Sequence, residues 1–359
     1  MSVPPQQRPP GWQQGPWPPQ PPPPLPDFAP DKKNTVKWLL IGIAVLLVIA
    51  AGVGATLFFT LDNRGGGSTT SSSAVPSDIA SVNDTGPVAI ITQEPTCDAL
   101  NAINTRMAQV QSNGWSDQRS SLPSVNDWTP EQRAQVEAVA TAMRNAADQM
   151  VDLAKQTPHR LARELYEQAI AYGRAYADSI PSYTRADDSL ASVYVNAGNA
   201  LLGICNAIKF GSATRALAVE PAARPAQPTT PANVTNPSRF LTDANAVCSD
   251  WVRDAENFTA DTALWAAVDP NIPGSQWTPE QRATHSAALP IFSAHADAMA
   301  RAGQQSGNPV LDDLASGSAL YTKAYVSSGD DYVSNDSYLF YTAFRLSNVI
   351  TAGCKAAGA

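Results

Sequence analysis

The string WTPEQRA stands twice in this chain, at Trp128–Ala134 and again at Trp277–Ala283. A cysteine follows each tryptophan at the same distance of 77 residues, Cys205 after Trp128 and Cys354 after Trp277. Aligned without a gap, residues 128–205 and 277–354 share 22 identities in 78 positions, among them Asp148/Asp297, Met150/Met299, Tyr172/Tyr321, Tyr176/Tyr325 and Tyr183/Tyr332. Upstream, one or two residues of slack also align Cys97 with Cys248 and Trp115 with Trp265. The chain is therefore an internal duplication, and any fold for it must be built from two related units. Each unit is too long to be one element of a solenoid.

The apolar spacing within a unit is helical. Leu100, Ile103, Met107 and Val110 recur every three or four residues, as do Val136, Val139, Met143, Ala147, Met150 and Ala154. Leu161, Leu165, Tyr172 and Tyr176 mark a third helix, and Leu190, Val193, Ala197, Leu201, Ile204 and Ile208 a fourth. Pro158 and Pro181 punctuate the first unit, while Pro290, Pro309 and Gly329 do so in the second, with Pro290 expected to kink its helix. No stretch alternates with period two, so the fold class is all-α: two tandem four-helix-type domains. An even number of antiparallel helices returns the chain to its starting end. Of three possible connectivities, that geometry selects Cys97–Cys205 and Cys248–Cys354.

Ahead of the duplication lies Trp38–Leu61, 24 residues without a charge. A bilayer core takes about 20 apolar residues in a helix, so this reads as a transmembrane helix. It is too long for a signal peptide and sits behind a long polar leader. Lys32, Lys33 and Lys37 precede it and only Arg64 closely follows. The positive-inside rule puts the N-terminus in the cytoplasm and everything after residue 61 outside. All four cysteines lie on that outer side, as disulfides require. The expected layout is a disordered Pro-rich cytoplasmic tail over 1–36, a membrane helix over 37–61 and a Gly/Ser/Thr-rich stalk over 62–94. Repeat domains over 95–212 and 239–357 follow, joined by a Pro/Ala/Thr linker over 213–238. The expected location is the plasma membrane, single-pass.

The first 35 residues hold 13 prolines and cannot bury a core. They read either as a stiff docking strip for a cytoplasmic partner, anchored by Trp12, Trp17 and Phe28, or as a solvated leader. The net charge of −8, with no basic patch beyond the membrane flank, excludes nucleic acid as a partner. His159, His285 and His295 have no histidine counterpart in the other unit and no metal-binding spacing, so neither a metal nor a cofactor is expected. The segment GDDYVSND at 329–336 lacks the spacing of a calcium loop and reads as a turn. Asp148 and Asp297 read as ion-pair members on helix faces. No nucleophile motif or phosphate loop occurs, so nothing in the sequence supports an enzyme.

Thr129 and Thr278 read as helix N-caps, with Pro130 and Pro279 at the first helical position and Gln132 and Gln281 closing a capping box. That accounts for part of WTPEQRA. Trp128, Arg133, Trp277 and Arg282 are left over, and they form one candidate binding set. The second is the i,i+4 tyrosine pairs, Tyr172 with Tyr176 and Tyr321 with Tyr325, read either as core packing or as a surface for a partner.

The segment PPPPLPDFAPDKK leading into Trp38–Leu61, together with the repeated Cys…WTPEQRA…Cys unit, resembles actinobacterial and especially mycobacterial proline-rich single-pass membrane proteins. The resemblance implies a cell-envelope setting and no particular activity. The expected function is non-enzymatic binding of an envelope protein or other envelope partner by the exterior domains. The alternative is a carrier or sensor of an apolar or lipidic ligand, with a cell-wall enzyme last.

Overall fold

A computed structural model describes residues 78–359 apart from 224, 226 and 230–232. The expected tail, the expected transmembrane helix over 37–61 and the first part of the expected stalk lie outside the described residues. Among the described residues no helix is long and apolar enough to cross a membrane, and none forms a strand.

Among the described residues eight long helices carry the fold. In the first repeat they are α1 (Cys97–Gln111), α2 (Pro130–Gln156), α3 (Arg160–Ser179) and α4 (Asp188–Lys209). In the second they are α5 (Cys248–Asp261), α6 (Pro279–Gln305), α7 (Pro309–Val326) and α8 (Ser337–Ala356). Sequence periodicity and structure agree on the buried stripe of α2: Val136, Val139, Met143, Ala147, Met150 and Ala154 all face the core. Pro290 sits inside α6, which continues from Pro279 to Gln305. Each repeat is closed by its own disulfide, Cys97–Cys205 and Cys248–Cys354, with Cα separations of 5.6 and 5.4 Å. The all-helical, disulfide-bonded class and the pairing are as the helix count implied.

The two repeats are not beads on a string. The described residues form one compact unit. Its central seam is α4 against α8, running antiparallel: Asn196 accepts from Arg345 (3.1 Å), Gly203 lies on Thr342, and Phe210 stacks on Tyr338 at 5.1 Å. Asn196 and Arg345 are aligned positions of the two repeats, so at this point each repeat meets the other through the same site. Gly203 is required here, since a Cβ would come within 2.5 Å of Thr342 Oγ1 and 3.2 Å of its Cα.

Chain segments assigned by sequence to stalk and linker also pack. In the strap over 78–96, Val88 and Ile91 are buried and Asp84 accepts from the backbone N–H of Arg160 (2.7 Å), so 78–94 is not free stalk. In the linker region Val234 is buried, as are Phe240 and Leu241 just beyond it. The two arms are exchanged. Tyr321 in the second repeat accepts from the Ile91 amide (3.2 Å) leading into α1, and Tyr172 in the first donates to the Leu241 carbonyl (3.0 Å) leading into α5. Each repeat therefore holds down the segment that enters the other.

Candidate functional site

The repeated motif resolves into a loop clamp. Thr129 Oγ1 accepts from the Gln132 amide and Gln132 Oε1 from the Thr129 amide, and Thr278 with Gln281 does the same, so both capping boxes form. Trp128 Nε1 donates to the Pro123 carbonyl (2.8 Å) and Trp277 Nε1 to that of Ile272 (2.9 Å). Arg133 donates to the Val125 carbonyl (3.0 Å) and Arg282 to that of Gly274 (2.7 Å), each guanidinium lying over its tryptophan ring. The amides of Val125 and Gly274 in turn donate to the carbonyls of Tyr183 and Tyr332. One heptapeptide thus starts a helix and ties two loops to it. Glu280 occupies the first turn, where its own amide and the Thr278 side chain hold its carboxyl below the usual range. Trp128 and Trp277 are buried, whereas Arg133 is exposed and Arg282, which also pairs with Asp330 at 2.9 Å, is partly so.

The tyrosine pairs are core residues. Tyr172, Tyr176, Tyr321 and Tyr325 are all at most 3% exposed, which favours the core-packing reading and corrects the alternative of a binding surface. The physical reason is that their hydroxyls have internal partners. Trp115 Nε1 donates to Tyr176 (3.0 Å) and Trp265 Nε1 to Tyr325 (3.1 Å), while Tyr172 and Tyr321 bind the exchanged arms. Burial pushes the hydroxyls of Tyr172 and Tyr176 up to about 12 and raises those of Tyr321 and Tyr325 as well.

The remaining candidates fall into structural roles. Asp148 pairs with Arg174 and Asp297 with Lys323, each at 2.7 Å. Asp336 accepts from the Val333 amide and pairs with Arg215, so the 329–336 segment is a turn. His159 meets the Gln93 carbonyl (2.8 Å). His285 is buried beside Trp277, and burial lowers its pKa. No group of three or more His, Cys, Asp or Glu able to hold a metal occurs among the described residues.

Two features escaped the sequence. The first is a charged hub in the seam where α3 meets α7. Arg160 clamps Asp313 through Nε (2.7 Å) and Nη2 (2.9 Å) and donates to the carbonyls of Asp84 (2.6 Å) and Gly86 (3.0 Å). Arg163 donates to Thr229 Oγ1 (2.8 Å), which also bonds Glu164, and pairs with Glu167 at 3.5 Å. Arg160, Arg163, Glu164 and Asp313 are each at most 1% exposed. Burial first, then the charge of Asp313, its own repeat counterpart, raises the Glu164 carboxyl well above the usual carboxylate range. On one helix, RLAREL reads as a solvated charge run; the one available hint was that Glu164 aligns with an acid, Asp313. The second feature is a groove of about 280 Å³ between α5 and α6, floored by Trp251 and Met299 and edged by Asp250, Asp254 and His295. A further hollow of about 430 Å³ lies between the strap and the start of α3, around Asn83, Val88, Ile90 and His159.

A family model described as mycobacterial ESX-1 associated protein matches residues 79–358, the whole helical body. The chain belongs to that family. An uncharacterised protein of Mycolicibacterium smegmatis (strain MKD8) is 42% identical over 349 residues, covering 96% of this chain and 90% of its own length. That span is longer than the helical body, so the similarity extends into the N-terminal stretch. No solved structure matches the chain. Membership of the family carries an ESX-1, and hence secretion-system, context.

Proposed function

We propose that this chain is a non-enzymatic, membrane-tethered envelope protein whose helical body docks a component of the ESX-1 secretion apparatus on the extracytoplasmic side. The family description is the observation that carries the reading, since it spans the entire body. The tether rests on Trp38–Leu61 and its lysine-rich flank. Two intra-repeat disulfides in the body support an oxidising compartment beyond that segment.

The test is proximity labelling from the tethered protein in its own host, together with export measured in a deletion strain. Enrichment of ESX-1 components and reduced ESX-1 export are expected. Intact export with no enriched envelope partner would defeat the proposal. Topology is checked separately: a cysteine introduced in the tail should resist, and one introduced on the body should accept, a membrane-impermeant thiol reagent added to whole cells.

A further inference from the structure

The duplication supplies an internal control for the groove between α5 and α6. In the first repeat the same helix pair is filled by Leu100, Ile103 and Leu153, all at most 5% exposed. Their counterparts in the second repeat are Trp251, Asp254 and Ala302. Two aliphatic side chains have thus been removed from one helix interface and not from its copy. Of α5 only Cys248 and Trp251 are buried, whereas α1 buries Leu100, Ile103 and Met107. The result is the 280 Å³ groove with Trp251 and Met299 on its floor and Ala298 and Ala302 on its α6 wall.

The remaining wall is closed by aromatic stacking. His295, the counterpart of Ala146, lies flat on Phe258 with ring centroids 4.1 Å apart, and burial lowers its pKa to about 4, so the imidazole is neutral near pH 7. The open edge carries Asp250 and Asp254, one turn apart on α5, with Arg253 bound to Asp250 at 2.6 Å and 3.9 Å from Asp254. Two carboxylates against one guanidinium leave the edge net negative. Trp251 Nε1 is already satisfied by Thr351 Oγ1, so the floor offers apolar contact rather than a donor.

From this geometry we infer that the α5–α6 groove is a docking site for a partner helix that inserts an aliphatic side chain and sets Lys or Arg beside it. The first repeat identifies the anchor, because Ile103 and Leu153 are what fill this interface when it is closed. The edge identifies its neighbours, since a basic side chain meets the surplus carboxylate and an acidic one is repelled. This inference rests on the partner-binding reading above and adds where the partner sits and what chemistry it presents.

The test reads two methionines at once. Met299 lies in the groove and Met150 is its counterpart in the closed interface. The full chain, labelled at its methionine methyls and held in zwitterionic nanodiscs, is titrated with an Ala-based helical peptide of roughly 15 residues. The peptide carries Leu flanked by Lys; a control carries Glu in place of Lys. The Lys peptide should shift the Met299 methyl and leave Met150 unmoved, and the Glu peptide should move neither. Restoring the first repeat's residues, Asp254→Ile with Ala302→Leu, should weaken binding by about tenfold or more, with an unmoved Met150 signal reporting a folded body. Asp250→Asn with Asp254→Asn should remove the Lys-over-Glu preference. Equal response to both peptides, equal movement of both methionines, or unchanged affinity in the filled variant would overturn the inference. So would an acyl lipid seen by native mass spectrometry whose removal alone moves Met299, since the groove would then be a lipid site. Any of these leaves the partner-binding reading to proximity labelling, which detects partners wherever they dock.

Discussion

Replacing Asp313 by Asn tests whether the seam is held by the buried clamp to Arg160. Both side chains are almost fully excluded from solvent, at 2% and 1% exposure, and meet through two charge-assisted hydrogen bonds of 2.7 and 2.9 Å. Water cannot replace the lost carboxylate, and the Asp84 and Gly86 carbonyls are neutral. Among the described residues the only carboxylate left in ion-pair range is that of half-exposed Asp84, 3.8 Å from Nη1 with no hydrogen bond to the guanidinium. Breaking one side of such a pair costs about 3–5 kcal/mol. For a body of this size, at roughly 2 °C per kcal/mol, the melting temperature should fall by about 6–10 °C. The double replacement Arg160→Met with Asp313→Leu removes both charges together and should recover most of that loss, because desolvation offsets much of what the intact pair contributes. Urea unfolding of wild type, Arg160→Met, Asp313→Leu and the double variant completes the cycle, with Asp313→Asn as the near-isosteric single. A single-variant loss under about 1 kcal/mol, or a double variant as unstable as the sum of the singles, would refute the assignment of the hub as a coupled clamp.

Four further outcomes follow from other contacts in the body. Glu164→Gln should gain stability over wild type as pH rises: the folded pKa is raised above the unfolded value of about 4.3, so the native state holds the proton longer and wild-type stability falls through that window; a difference in urea midpoint that is flat from pH 4 to 8 would contradict it. Gly203→Ala should lose about 1–3 kcal/mol through overlap with Thr342, partly relieved by Thr342→Ala, read by thermal melts of the single and double variants. Thr129→Ala and Thr278→Ala should each cost about 1 kcal/mol, and peptide mapping without reductant should recover Cys97 with Cys205 and Cys248 with Cys354, each bridge contributing roughly 4–5 kcal/mol on the chain-entropy model.

What the linear chain decides here is local or topological. Apolar spacing marks the core stripe of α2, Thr-Pro-x-Gln marks where α2 and α6 begin, and helix parity alone pairs the cysteines, because each of these depends on neighbours within one unit. WTPEQRA is half-legible for the same reason. The cap lies within four residues, whereas the partners of Trp and Arg in the preceding loop, and that loop's tie to Tyr183 or Tyr332, exist only once the helices have closed.

Tertiary structure decided how the two copies meet. Arg160, Arg163 and Glu164 look like a solvated face on an isolated helix, and become a buried hub only because α7 covers that face with Asp313. Tyr172 and Tyr321 show the same stripe in either a surface or a core helix, and it is the exchanged arms that bury them. The groove on the second repeat is a difference between two interfaces, where Asp254 and Ala302 stand against Ile103 and Leu153. Sequence carries each substitution, but only the packed structure puts the two positions on one wall.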